Sequence, residues 1–256
     1  GVALPYNLEA EQSVLGCMLL NSGRGTRMGD ETREHPKCMC RLDGEDTIIS
    51  WQVKLLARCG IREAVVTTGP FAGMLQEHLE GLGSGIRFTY VSNPDYERTN
   101  YIYSMYLARE YLHGDVISLH GDLVMAPAVM EALTASPVSA VAVDTQAPLP
   151  EKDFKAELQR GRVRAIGIDR FGPACVASQP AYKFLAADFG RWMAEIERFI
   201  ARGERTCYAE NAFNAVWEDI PLYPLDVAGK LCNEIDNQED RALVCARFAR
   251  EVRGLA

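Results

Sequence analysis

The sequence has no apolar run of bilayer length, so no membrane-spanning helix is expected. It has no Cys-x-x-Cys pair, although it holds 8 cysteines. Its 4 histidines are dispersed without a His-x-x-x-His spacing, and a zinc centre is therefore not expected. Basic residues are in deficit, 27 Lys and Arg against 35 Asp and Glu, for a net charge of -8. That balance argues against a general nucleic-acid binder. The first residues lack a charged segment followed by an apolar one, so no secretory signal is expected. Scattered thiols in mostly apolar contexts then read as reduced, and the expected location is cytoplasmic. No internal repeat, long linker or low-complexity tract interrupts the chain.

Two phosphate-binding signatures are also missing. Residues 19–29 run Leu-Leu-Asn-Ser-Gly-Arg-Gly-Thr-Arg-Met-Gly. A Walker A loop needs four residues between its glycines and a following Lys. Here Gly23 and Gly25 are one residue apart and no Lys follows. A dinucleotide fingerprint needs a third glycine where Met28 stands.

What is present is an apolar, strand-length run, residues 14–20, ending in a glycine loop. Gly23 and Gly25 permit positive φ and close approach, so backbone N–H groups can cradle phosphate oxygens. Arg27 and Lys37 add charge that an anion can use. At 256 residues and 48% hydrophobic composition the chain can bury a full core. Beyond the loop, strand and helix patterns alternate. Residues 47–59 read as a helix stopped by Gly60, 64–68 as a strand, 71–82 as a helix and 86–91 as a strand. Residues 101–112 read as a helix, and 115–120 and 139–144 as strands. Residues 154–158 and 163–168 read as a hairpin, 174–178 as a strand, 188–200 as a helix, 221–225 as extended and 237–252 as the closing helix. Alternation at this pace predicts an α/β fold with a doubly wound, mostly parallel sheet and a small hairpin excursion.

The Gly-x-Gly-x-Arg loop with Pro36-Lys37 resembles the signature of nucleotidyltransferases that activate sugars, phosphocholine and phosphonates. Family loops more often open with small apolar residues where this chain has Asn21-Ser22. Residues 99–104, Gly121-Asp122 and Glu234-Ile235-Asp236 follow in the family's order. The set resembles the CTP-dependent cytidylyltransferases acting on phosphocholine and 2-aminoethylphosphonate, over roughly residues 14 to 250. The resemblance implies a Rossmann-like sheet of the nucleotide-diphosphosugar transferase type. It also implies CTP and a small zwitterionic phosphate or phosphonate as partners, with neither nucleic acid nor membrane. A sugar 1-phosphate acceptor and a non-catalytic nucleotide-binding domain are the alternatives. The sequence admits a homodimer without fixing it.

From the same resemblance come the expected roles. Lys37 and Arg27 serve the reacting phosphate; Leu20, Asn21, Ser22, Gly23, Gly25, Thr68, Gly69 and Asn100 bind nucleotide. Asp122 and Asp236 hold Mg²⁺, a hard cation suited to carboxylates and phosphate oxygens. For Asp236 a plain helix N-cap, with Glu239 three residues on, is the competing reading. Asp144, Lys152, Lys155, Tyr208 and Glu210 are expected around the acceptor, whose cationic end wants carboxylates and aromatic faces. The expected division is a leader (1–13), a nucleotide-binding half (14–145), an acceptor-binding half (146–236) and a closing helix (237–256), in one domain. Residues 5–13 also resemble the opening of replicative DNA helicases. With no helicase nucleotide loop behind them, they are read as a leader or as chance.

Overall fold

A computed structural model describes residues 15–23 and 25–255. The expectations for the leader, Val14 and Arg24 lie outside the described residues. The strand entering the glycine loop is β1 (Gly16–Asn21). Helix α1 (Ile48–Arg58) opens with a capping box between Thr47 and Ser50. It closes where Gly60 takes φ 83°, the left-handed stop expected there. Then come β2 (Glu63–Thr68), α2 (Ala72–Gly81), β3 (Arg87–Ser92) and α3 (Tyr101–Ala108). After α3 the expected helical run narrows into a 3-10 turn, Arg109–Tyr111. Strands β4 (Val116–His120) and β5 (Leu123–Met125) lead into α4 (Pro127–Ala135), followed by β6 (Ala140–Asp144). The hairpin is β7 (Lys155–Gln159) and β8 (Arg162–Gly167). Its two turn residues, Arg160 and Gly161, both have positive φ, as a primed hairpin turn requires. The remainder is β9 (Cys175–Phe184), α5 (Ala186–Ala201), α6 (Ala209–Ala215), β10 (Tyr223–Asp226), β11 (Cys232–Glu234) and α7 (Gln238–Glu251).

The sheet runs β10-β6-β9-β4-β1-β2-β3, with β7 and β8 extending it beside β9. It is parallel except at β9 and the hairpin, so the expected fold class is the observed one. Alternation along β1 builds both faces. Cys17 and Leu19 pack with Ile49 and Val53 of α1, Met130 of α4 and Phe248 of α7. Met18 and Leu20 pack with Met105 of α3, Trp192 and Ile196 of α5 and Phe213 of α6. No helix among the described residues is long and apolar enough to cross a membrane.

The strand expected over 174–178 runs to Phe184, through Pro180. Pro180 falls where β9 changes partners: β7 pairs with residues 175–177, β4 with 181–184, and the β6 ladder shifts register between Val141 and Val143. A proline at such an irregularity removes no ladder hydrogen bond.

Candidate active site

The carboxyl ends of β1, β2 and β4 lie side by side, with Asn21 level with Thr68 and Leu20 level with His120. Open parallel sheets bind ligands at this edge. A cavity of about 320 Å³ opens there, walled by the glycine loop, Lys37, the start of α3 and the residues after β4. Close approach of neighbouring atoms explains three glycines. A Cβ on Gly69 would stand 2.3 Å from the Ser22 carbonyl oxygen, and one on Gly121 would stand 1.8 Å from Asn21 Oδ1. A Cβ on Gly25, whose φ is 63°, would press to 2.9 Å from Lys37 Cβ. The loop therefore rests directly on the stem of Lys37.

On the floor, Lys37 Nζ donates to Asp122 Oδ2 and to Asp236 Oδ1, each at 2.7 Å. Arg27 adds a 2.9 Å contact to the same Asp236 oxygen. Asp236 reaches Asp122 because β11 pairs antiparallel with β5 and the Ile235 N–H donates to the Asp122 carbonyl. The turn itself is clamped from α1, where Gln52 Nε2 donates to the carbonyls of His120 and Leu123. Asp236 is not the cap of the last helix. Asn237 caps α7, its Oδ1 accepting from the N–H groups of Glu239 and Asp240.

Electrostatics bind this floor together. Burial disfavours the Lys37 ammonium, but Asp122 and Asp236 outweigh it and hold its pKa above the ordinary lysine value. Burial pushes Asp122 up, while Lys37 and His120 pull it further down, below the usual carboxylate range. Glu234 goes the other way: burial, and then the neighbouring Asp122 charge, lift it to about 7 against the pull of His120. His120 Nδ1 lies 3.2 Å from Glu234 Oε1, and that carboxylate raises the imidazole despite its burial. His120, Asp122 and Glu234 bring ligand atoms within 4.8 Å of one another. Asp122 Oδ1 is buried with no standing donor among the described residues; Glu234 donates to Asp122 only when protonated.

A pH dependence of stability follows. Between the ordinary glutamate value of 4.5 and about 7, folded Glu234 keeps a proton that the unfolded chain releases. Its contribution is complete at the acid end and is lost as pH rises through that window. The raised His120 acts with the same sign, losing its contribution as pH climbs through its folded value. Glu234→Gln removes the first and the largest raising cause of the second. The melting temperature of the variant relative to wild type is expected to rise from pH 5 to pH 8, by the equivalent of about 2 kcal/mol. A pH-independent difference in thermal melts contradicts this.

Of the nucleotide-side candidates, Leu20, Asn21, Ser22, Gly23, Gly25 and Asn100 line the cavity together with Arg27 and Lys37. Thr68 is buried behind the loop, and Gly69 is packed on Ser22 rather than in the wall. Both polar atoms of the buried Asn21 amide lack a partner among the described residues. Ser22 Oγ sits 2.7 Å from Ser104 Oγ, to which Asn93 Nδ2 donates at 3.0 Å, tying the loop to α3.

The acceptor-side candidates are dispersed. Glu210 is only 1% exposed, and its carboxylate accepts from Tyr182 Oη at 2.7 Å and from Tyr101 Oη. Glu210 itself is not in the cavity wall, whereas Tyr101, which donates to it, is. The Tyr101 ring stands 4.6 Å from that of His120 and 6.0 Å from that of Tyr208. Lys155 points elsewhere: it is fully buried, donates to the Pro150 carbonyl at 2.7 Å and lies 4.1 Å from the Phe171 ring. Asp144 accepts from the Gln146 N–H at 2.9 Å, Lys152 is exposed, and neither belongs to the cavity wall. Sequence pattern names none of His120, Asn93 and Tyr101, which also line the cavity. The adjacency of His120 to Gly121-Asp122 was the available signal.

The model of the MobA-like NTP transferase domain family matches residues 17–150. CMP-5'-(3-aminopropyl)phosphonate synthase of Streptomyces rubellomurinus is 37% identical over 132 residues, 52% of this chain and 21% of that protein. CTP:phosphoglutamine cytidylyltransferase of Campylobacter jejuni is 25% identical over 137 residues, 51% of this chain and 53% of that protein. The chain thus spans about a fifth of one curated relative and about half of the other. Among solved structures, CTP:phosphocholine cytidylyltransferase of Streptococcus pneumoniae superposes with a TM-score of 0.77 at 19% identity, covering 91% of this chain and 98% of that one. The inositol-1-phosphate CTP transferase of T. maritima gives a TM-score of 0.78 at 19% identity, covering 94% and 97%. At that identity the likeness speaks for the fold.

Proposed function

The chain belongs to the family of MobA-like NTP transferase domains, and from that premise we propose that it transfers CMP from CTP to a small, amine-bearing phosphonate or phosphate, releasing pyrophosphate. The observation that carries this reading is the single ammonium of Lys37 set between Asp122 and Asp236 on the cavity floor. In the reaction an oxygen of the acceptor attacks the α-phosphorus of CTP, and the bond from that phosphorus to the pyrophosphate oxygen breaks. Such chemistry asks for alignment and neutralised charge rather than covalent help.

Asp122 and Asp236 fit Mg²⁺. Both present hard oxygens, two of those oxygens already share one cationic partner, and Asp122 Oδ1 is buried without a standing donor among the described residues. When bound, the ion supplies a Lewis acid for the phosphate oxygens. Lys37 stabilises charge that grows on the α-phosphate in the transition state. Gly23 and Gly25 let the loop backbone approach the phosphates. The unpartnered Asn21 amide offers one donor and one acceptor to a pyrimidine edge. The two curated relatives carry an aminopropylphosphonate and a phosphoglutamine in their names, which favours an amine-bearing acceptor.

Pyrophosphate release with CTP, UTP, ATP and GTP, each against 2-aminoethylphosphonate, 3-aminopropylphosphonate, phosphocholine and glucose 1-phosphate, tests the proposal. CTP with one amine-bearing acceptor is expected to dominate, with the purine nucleotides at least tenfold slower. Equal rates with all four nucleotides, or turnover with the sugar phosphate alone, contradicts it.

Acceptor recognition has its own test. Glu210 turns the phenol of Tyr101 inward and so fixes the ring that faces the cavity. Glu210→Gln replaces one accepting oxygen by an NH₂ that faces a tyrosine hydroxyl. Losing a charge-assisted bond of this kind costs about 2 kcal/mol. The acceptor KM is expected to rise more than tenfold while the CTP KM stays nearly constant. A loss confined to CTP binding removes Glu210 from the acceptor side.

A further inference from the structure

We propose that Lys37 interlocks nucleotide and metal binding: its ammonium holds the seat between Asp122 and Asp236, so that a divalent cation binds tightly only after a nucleotide phosphate has drawn Lys37 aside. The inference rests on the reading of those two aspartates as the metal's ligands. The oxygens that ligation needs are the ones Lys37 holds. Nζ is 2.7 Å from Asp122 Oδ2 and 2.7 Å from Asp236 Oδ1. A magnesium ion sits about 2.0–2.1 Å from each ligand oxygen. An ion taking both oxygens competes with the ammonium that already holds them, and a dication seated beside an ammonium is repelled by it. Charge is also balanced beforehand, since the carboxylates of Asp122 and Asp236 face the cations of Lys37 and Arg27.

Expelling Lys37 without a replacement partner is unfavourable. Its side chain is only 12% exposed, and a buried charge parted from its counter-ions carries a large penalty. Gly25 packs on its β, γ and δ carbons, so the stem has little room and the freedom left lies in the outer torsions, within the cavity Lys37 lines. A nucleotide α-phosphate arriving there supplies the new counter-ion. Vacating the two oxygens and seating the phosphate thus become one event, and metal and nucleotide each raise the other's affinity.

The probe is Mn²⁺, followed by electron paramagnetic resonance of the free ion, on the full chain without nucleotide. Lys37→Met is expected to bind Mn²⁺ at least tenfold more tightly than wild type; equal affinities overturn the interlock. Adding Asp122→Asn to that variant is expected to abolish the gain, and retention of tight binding places the ion elsewhere and overturns the proposal as well. If Lys37→Met fails to fold by circular dichroism, the wild-type protein decides. Saturating CMP, which offers an α-phosphate but binds Mn²⁺ weakly by itself, is expected to raise Mn²⁺ affinity at least tenfold, and no change overturns the interlock. Failure of the cytidylyl reading is visible separately, as UMP or AMP binding where CMP does not; that nucleotide then takes the place of CMP in the test.

Discussion

Asp122→Asn and Asp236→Asn are each expected to lower kcat about a thousandfold or more while leaving the thermal midpoint within a few degrees of wild type. Each substitution keeps the side-chain shape and removes one negative oxygen from a pair that a hard cation needs. On the proposed reading several kcal/mol of transition-state stabilisation come from that cation, and each 1.36 kcal/mol is a decade in rate. The consequences outside the reaction differ between the two. Asp122 is among the causes that lift Glu234 to about 7, so Asp122→Asn lets Glu234 ionise nearer the ordinary glutamate value. Asp236 is a lesser cause of the same lift and is also shared with the exposed Arg27, so Asp236→Asn additionally frees a surface guanidinium. Steady-state kinetics over a wide Mg²⁺ range with parallel thermal melts measures both effects. Turnover within a few-fold of wild type in either variant removes that aspartate from the reacting centre.

Much of the fold was legible because period and punctuation agreed. In α1, Thr47 begins the helix, Ile49, Val53 and Leu56 repeat at helical spacing, and Gly60 ends it. The strands β1, β2 and β4 are short apolar runs ending at polar residues, as buried parallel strands do. What escaped was decided by tertiary partners. Pro180 argues locally against a strand, and only the change of neighbours along β9 admits it. Helix α4 starts on Pro127 and is short, so its pattern is brief, yet Val129, Met130 and Leu133 bury fully against the sheet. Helix α6 is shorter still.

The cavity was legible in the same uneven way. The glycine loop, Lys37 and Asp122 follow from local pattern and end on the same walls. The pairing of His120 with Glu234 spans 114 residues and exists because β11 docks on β5, a contact no local spacing encodes. Lys155 shows the converse. A lysine in a charged turn reads as a phosphate contact, but its strand position faces inward and its ammonium folds back on the Pro150 carbonyl. Glu210, two residues after Tyr208, reads as a direct contact to the acceptor. It is buried because the first turn of α6 packs it between Tyr101 and Tyr182.

Lys37→Ala is expected to lower kcat with CTP by about two to three orders of magnitude, the scale of removing one preorganised donor from a developing oxyanion. Lys37→Arg is not expected to restore it. The Lys37 stem lies against Gly25 and delivers a compact ammonium to two carboxylate oxygens at 2.7 Å each. A planar guanidinium on a longer stem presents its donors in a fixed fork and does not occupy that point. The loss belongs mainly in kcat rather than in the CTP KM, because the interaction strengthens as charge gathers on the α-phosphate. The same variant separates two duties of one side chain. Charge stabilisation in the reaction makes turnover fall, whereas release of Asp122 and Asp236 from their ammonium makes the Mg²⁺ concentration for half-maximal rate fall as well. A structural lysine predicts neither a lower metal requirement nor a selective loss in kcat; it predicts a lower melting temperature and parallel losses in all parameters. Rates, metal requirement and melts measured together on wild type, Lys37→Ala and Lys37→Arg distinguish the two, and a kcat within threefold of wild type in Lys37→Ala removes Lys37 from the chemistry.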